Sequence, residues 1–166
     1  KIDLGSIAKG YAVDQARKAL VEAGITSALI DAGGDIYALG KNRGKSWIIG
    51  IRNPCGEGII GTLELTDMTV VTSGDYERFF EQDGIKYHHI LDPQTGYPAR
   101  GLISVTVVSK DPTLADAWST ALFILGKEKG PEMANNLQSI QALMVTDDGQ
   151  KMYSSGLDVS HKIFNE

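Results

Sequence analysis

The sequence contains a single cysteine, Cys55, which excludes both an internal disulfide framework and a cysteine-based zinc site. No apolar run approaches the roughly 20 residues that a membrane-crossing helix needs, and no signal peptide is visible. A basic run is also missing. The net charge is −5 and nothing tracks a phosphate backbone, so nucleic acid is not an expected partner. There is no low-complexity stretch, linker or internal repeat. An initiator methionine is lacking too: the chain starts at Lys1-Ile2-Asp3-Leu4 in an ordered-looking segment, which reads as a fragment of a longer protein.

What is present is the composition of an ordinary globular protein. Hydrophobic residues make up 42% and charged residues 22% of 166 positions, enough for one domain with a real core. Alanine and leucine at helical spacing predict a helix over residues 6–23, with Ser6 as its N-cap and Gly24 as its stop. Strands are expected over 25–31 and 35–39, around the turn Ala32-Gly33-Gly34, and over 47–52, 59–65, 68–72 and 86–91. Residues 102–108, rich in β-branched side chains, form the clearest strand. Helices are expected over 112–125, opened by Asp111-Pro112 and stopped by Gly126, and over 131–137. Strands at 140–146 and 151–154 flank the hairpin signal Asp147-Asp148-Gly149. The pattern is a single α+β domain, residues 1–166, with a largely antiparallel sheet packed by helices.

Five segments carry possible chemistry. In Asp3-Leu4-Gly5-Ser6-Ile7-Ala8-Lys9-Gly10, a helix start offers free N–H groups and a lysine adds charge, which suits a phosphate; a capped surface helix is the plainer reading. In Asp31-Ala32-Gly33-Gly34-Asp35, two glycines permit close backbone approach, and the aspartates suit a hydroxyl or a metal-bound water; a tight turn explains the same pattern. Thr72-Ser73-Gly74-Asp75-Tyr76 ends a strand in small hydroxyl residues, either a ligand contact or a simple strand-end turn. His88 and His89, adjacent in a strand, point to opposite faces, so one can face a cleft and move protons. Their spacing is not that of a metal pair, and most histidines are not catalytic. In Ala115-Asp116-Ala117-Trp118-Ser119-Thr120, the oxygens of Asp116, Ser119 and Thr120 share a helix face. That oxygen-only set suits a hard cation such as Mg²⁺, and equally an ordinary polar first turn.

Taken in order, these segments resemble the ApbE family, the FAD:protein FMN transferases once called thiamine biosynthesis lipoproteins. The matching stretches are DLGSIAKGYAVD, DAGGDIYALG, WIIGIRNP, TSGDYERFF, YHHILDPQTGYPA, SVTVV and ADAWSTALFILG, between residues 3 and 126. The resemblance identifies the chain as the C-terminal half of such an enzyme. It implies Mg²⁺-dependent cleavage of FAD at its diphosphate, release of AMP, and attachment of FMN through its phosphate to a Thr or Ser of an acceptor protein. It further implies that Asp3, Lys9 and Leu91 contact FAD and that His89 is the catalytic base. Ser6 (through its carbonyl), Asp116, Ser119 and Thr120 would hold the metal. The family usually has alanine at the Ser6 position, and some members have aspartate where Ser119 stands. By the same resemblance the protein is periplasmic or otherwise extracytoplasmic, anchored to a membrane through a preceding segment. Two other readings remain: an FAD pyrophosphatase that releases FMN to water, and a flavin- or nucleotide-binding module without catalysis.

Overall fold

A computed structural model describes residues 4–159. The elements are α1 (Gly5–Glu22), β1 (Ala28–Ala32), β2 (Asp35–Leu39), β3 (Trp47–Arg52), β4 (Ile59–Leu65), β5 (Met68–Gly74), β6 (Phe79–Gln82), β7 (Ile85–His88), β8 (Leu102–Ser109), α2 (Pro112–Asn136), β9 (Ile140–Thr146) and β10 (Lys151–Tyr153). One six-stranded sheet runs in the order β1-β2-β5-β8-β9-β10, and every neighbouring pair is antiparallel. Two hairpins, β3–β4 and β6–β7, stand apart from it. The α+β architecture with an antiparallel sheet is thus as the sequence predicts.

Strand alternation sorts the core into two layers. Val71, Val105, Val107, Ala142 and Met144 turn to one face and pack with Leu122 and Phe123 of α2. Their neighbours Val70, Val108, Leu143 and Val145 turn to the other face and pack with Ile49, Ile51, Leu63 and Leu65 of the β3–β4 hairpin. Both faces of β8 and β9 are therefore covered, which is why these strands read as near-continuous apolar runs. Each fully buried side chain of this size contributes about 1.5–3 kcal/mol.

Helix α1 lies beside α2 and against β1 and β2, where Val13 meets Tyr37 and Leu39. The α1–α2 contact depends on Gly10: a Cβ there would lie 2.3 Å from the Pro112 carbonyl oxygen and 2.7 Å from Asp116 Cβ. The β1–β2 turn depends on Gly33 and Gly34, whose φ angles of 64° and 95° suit a two-residue hairpin closed by the pair Ala32 and Asp35.

Several local expectations are corrected. Ser6 does not cap α1: the helix begins at Gly5, and Leu4, at the capping position, makes no side-chain cap. The first strand starts at Ala28 rather than residue 25, because the Ile25 amide closes back on the Leu20 carbonyl at 2.9 Å. The strand expected over 86–91 ends at His88, and its partner β6 is new. The stop expected at Gly126 is present, where the backbone leaves helical geometry (φ 74°, ψ −174°), but the second helix follows at once instead of at residue 131, and the two helices meeting at this kink are together labelled α2.

Candidate active site

The start of α1, the Gly33-Gly34 turn, the end of β5, the first turns of α2 and the segment after β7 surround one cleft of about 1250 Å³. Ser6, Lys9, His89, Leu91, Asp116 and Thr120 all line it. Six of the eight expected site residues are therefore brought together from positions more than a hundred residues apart. Asp3 lies outside the described residues. Ser119 is placed differently, as set out below.

Lys9 sits one turn into α1. Its Nζ donates to Asp35 Oδ1 at 2.6 Å, with the lysine side chain 48% exposed and the aspartate 1% exposed. The second carboxylate oxygen, Asp35 Oδ2, is buried and has no hydrogen-bond partner among the described residues. Burial pushes the Asp35 carboxyl up to about 6, against the opposing pull of Lys9 and with further upward pressure from Asp116 and Asp31. The other aspartate of that motif, Asp31, is exposed and its Oδ1 accepts from the Gly34 amide at 2.8 Å, serving the turn.

Asp116 is held by the neighbouring helix α1. Its Oδ2 accepts the Gly10 amide of α1 at 2.9 Å, and Oδ1 takes no hydrogen bond from the described residues. Burial raises its carboxyl above the ordinary carboxylate range, partly offset by the Gly10 amide and the Lys9 charge. One turn on, Thr120 lines the cleft, and its Oγ1 lies 3.3 Å from Ser73 Oγ. Ser119 is fully buried. Its Oγ donates to the Asp116 carbonyl at 2.9 Å and lies 2.8 Å from Ser73 Oγ, so this hydroxyl ties α2 to β5 instead of lining the cleft.

The two histidines differ in exposure, His88 buried and His89 exposed, but not through strand alternation, because β7 ends at His88 and His89 lies in the bend that follows. His88 is buried, edge-on to Phe123. Its Nδ1 accepts the Ile90 amide at 3.3 Å, so Nε2 carries the proton and donates to the Ala99 carbonyl at 2.9 Å. Burial holds its pKa below the ordinary value. His89 is exposed at the cleft, and its Nδ1 lies 3.3 Å from the Arg78 carbonyl. A carbonyl only accepts, so Nδ1 carries the proton and Nε2 of the neutral ring keeps its lone pair. Leu91, half exposed, is fixed by a β-bridge to Pro98.

The cleft also includes Arg52, Tyr76 and Arg78. The Arg52 guanidinium lies over the Tyr76 ring at 5.2 Å. No spacing rule singles out Arg52 or Arg78, since each is one exposed cation at a strand end. Among the described residues no group of three His, Cys, Asp or Glu side chains is positioned to hold a metal.

A sheet backed by two helices, with a cleft that presents buried carboxylates, hydroxyls and an ammonium, defines a mixed α/β domain built to face a polar ligand. The sequence profile of the ApbE family matches residues 1–144. The chain is 44% identical over 158 residues to a Klebsiella pneumoniae (strain 342) protein named FAD:protein FMN transferase, covering 93% of this chain and 48% of that one. It is 41% identical to the Treponema pallidum (strain Nichols) protein of the same name, covering 95% and 47%. Its fold is similar to the crystal structure of the ApbE protein of Thermotoga maritima MSB8, with a TM-score of 0.88, 45% identity, and coverage of 93% and 52%. It also resembles the flavin transferase ApbE from Vibrio cholerae, with a TM-score of 0.82, 38% identity, and coverage of 93% and 50%. The chain belongs to the ApbE family. It spans about half the length of the relatives it matches.

Proposed function

We propose that the full-length protein is a Mg²⁺-dependent FAD:protein FMN transferase, and that this chain supplies the metal-binding and diphosphate-binding part of its active site. FAD would be cleaved at the diphosphate, AMP would leave, and FMN would be joined through its phosphate to a Thr or Ser hydroxyl of an acceptor protein. The observation that carries this reading is the Gly10–Asp116 hydrogen bond, which brings the α2 carboxylate against the α1 start that bears Lys9. The names of the relatives supply the substrate and the acceptor.

The donor set fits a magnesium ion. Asp116 Oδ1, without a donor among the described residues, and the Thr120 hydroxyl are hard oxygen groups one helical turn apart, with the Ser6 carbonyl as the third ligand expected from the family. Few protein ligands are needed, because Mg²⁺ keeps waters and takes phosphate oxygens from its substrate. When bound, the ion would polarise diphosphate oxygens and offset charge on the departing AMP.

The chain's own groups supply the rest. The N-terminal turn of α1 presents backbone amides and positive potential to a phosphate. Lys9 adds a cation at the same place. His89, with Nδ1–H on the Arg78 carbonyl, keeps Nε2 free to take the proton from the attacking hydroxyl. Leu91 offers an exposed apolar surface for the flavin nucleotide.

No described helix is long and apolar enough to cross a membrane. An extracytoplasmic, membrane-anchored placement is proposed on the family resemblance alone.

The experiment is incubation of the full-length protein with FAD, Mg²⁺ and a candidate acceptor domain, followed by mass measurement of the acceptor. Covalent FMN on a Thr or Ser supports transfer. Release of free FMN and AMP with an unmodified acceptor replaces it with the pyrophosphatase reading, and no cleavage in any condition replaces it with a binding module.

A further inference from the structure

The face of β2 that packs on α1 carries Asp35, Tyr37 and Leu39. Tyr37 and Leu39 bury against Val13, as a core-facing strand requires. Asp35 occupies the third such position, 1% exposed, where the pattern calls for an apolar side chain. A buried carboxylate with one oxygen unpartnered among the described residues is a costly choice for stability alone. A break in the local rule of this kind belongs where function requires it.

What Asp35 does is grip Lys9. The contact is 2.6 Å, and half of the lysine side chain remains exposed toward the cleft. A free lysine samples many rotamers on a four-carbon stem, and a ligand that binds it must order that stem. Lys9 is not free: it enters the cleft already anchored, beside Asp116, whose carboxyl also responds to its charge. The Gly33-Gly34 turn lets β2 begin at Asp35, so the anchor stands at the edge of the cleft.

We propose that Asp35 is a positioning residue, which holds the Lys9 ammonium at the cleft in the orientation that receives the substrate diphosphate. The proposal rests on the FAD reading above. Asp35 touches no substrate in this account and acts only through Lys9.

The test uses the full-length protein with Asp35→Asn, Lys9→Met and the double variant. Calorimetry reads FAD affinity, thermal melting reads the fold, and mass spectrometry reads the rate at which acetic anhydride acetylates Lys9. Asp35→Asn is expected to weaken FAD binding about tenfold and to speed Lys9 acetylation severalfold. The double variant should bind no more weakly than Lys9→Met alone, because both changes remove one unit. Equal FAD binding by Asp35→Asn and wild type, or losses that multiply in the double variant, would overturn the proposal. If wild type binds no FAD, the FAD reading fails by itself, and the acetylation rate still decides whether Asp35 restrains Lys9: an unchanged rate rejects it. Should Asp35→Asn not fold, Asp35→Ser enters the same measurements with the same expected outcomes.

Discussion

The Gly10 amide donates to the Asp116 carboxylate at 2.9 Å, joining residues that lie 106 positions apart in sequence. The same glycine lets α1 approach α2 until no Cβ fits between them. One residue therefore sets both the helix packing and the placement of the buried acid. Gly10→Ala forces the helices apart and is expected to cost about 1–3 kcal/mol of stability, measured by denaturant unfolding. FAD turnover should fall more steeply than stability does, since Asp116 loses its amide partner.

Ser119 and Thr120, adjacent on α2, are placed differently, the first buried and the second at the cleft. The Ser119 hydroxyl is committed to the Asp116 carbonyl and to Ser73, whereas Thr120 lines the cleft. Ser119→Ala is expected to lower stability by about 1 kcal/mol with a small change in Mg²⁺ dependence. Thr120→Ala should instead raise the Mg²⁺ concentration needed for half-maximal turnover. Equal shifts in both variants would return Ser119 to the ligand set.

The two histidines should respond in opposite ways to substitution. His88 is buried and its pKa is held below the ordinary 6.5, so the folded state favours the neutral ring. Its contribution is present above pH 6.5 and is lost as pH falls below it. His88→Gln breaks buried hydrogen bonds and is expected to cost about 1–3 kcal/mol at pH 8, with a flatter stability profile below pH 6.5 than wild type. His89 is exposed, so His89→Ala should leave stability within about 0.5 kcal/mol. Its turnover should drop by about 10²–10⁴.

Asp35 gives a second pH signature of opposite sign. A carboxyl held at about 6 against an ordinary 3.8 favours the folded state when protonated, so its contribution is complete below pH 3.8 and is lost as pH rises to about 6. Lys9, Asp116 and Asp31 are the charged groups that act on it. Asp35→Asn should remove this slope, so that the variant gains stability relative to wild type between pH 3.8 and about 6. Urea unfolding across that range measures it.

The parts of this molecule legible in sequence are those set by local rules. The buried strands β8 and β9 announce themselves through β-branched and apolar runs, and Gly33-Gly34 through the turn it demands. β6 escaped notice because all four of its residues are exposed, so Phe79-Phe80-Glu81-Gln82 shows no alternation. Ser6 misled because a serine near a helix start satisfies the capping rule whether or not it caps. At the site, the residue types were readable but their partnerships were not. Lys9 meets Asp35 across 26 positions, and only the placement of β2 under α1 creates that pair. Ser119 and Thr120 are adjacent and both hydroxyls meet Ser73 of β5, and only packing decides that Thr120 also reaches the cleft while Ser119 does not.

The decisive measurement is AMP release from FAD as a function of Mg²⁺ concentration, in full-length wild-type protein and in Asp116→Ala. The account predicts saturable Mg²⁺ dependence in wild type and a fall of about 10²–10³ or more in the variant, with no rescue at high Mg²⁺. Turnover in Asp116→Ala equal to wild type at every Mg²⁺ concentration would contradict it.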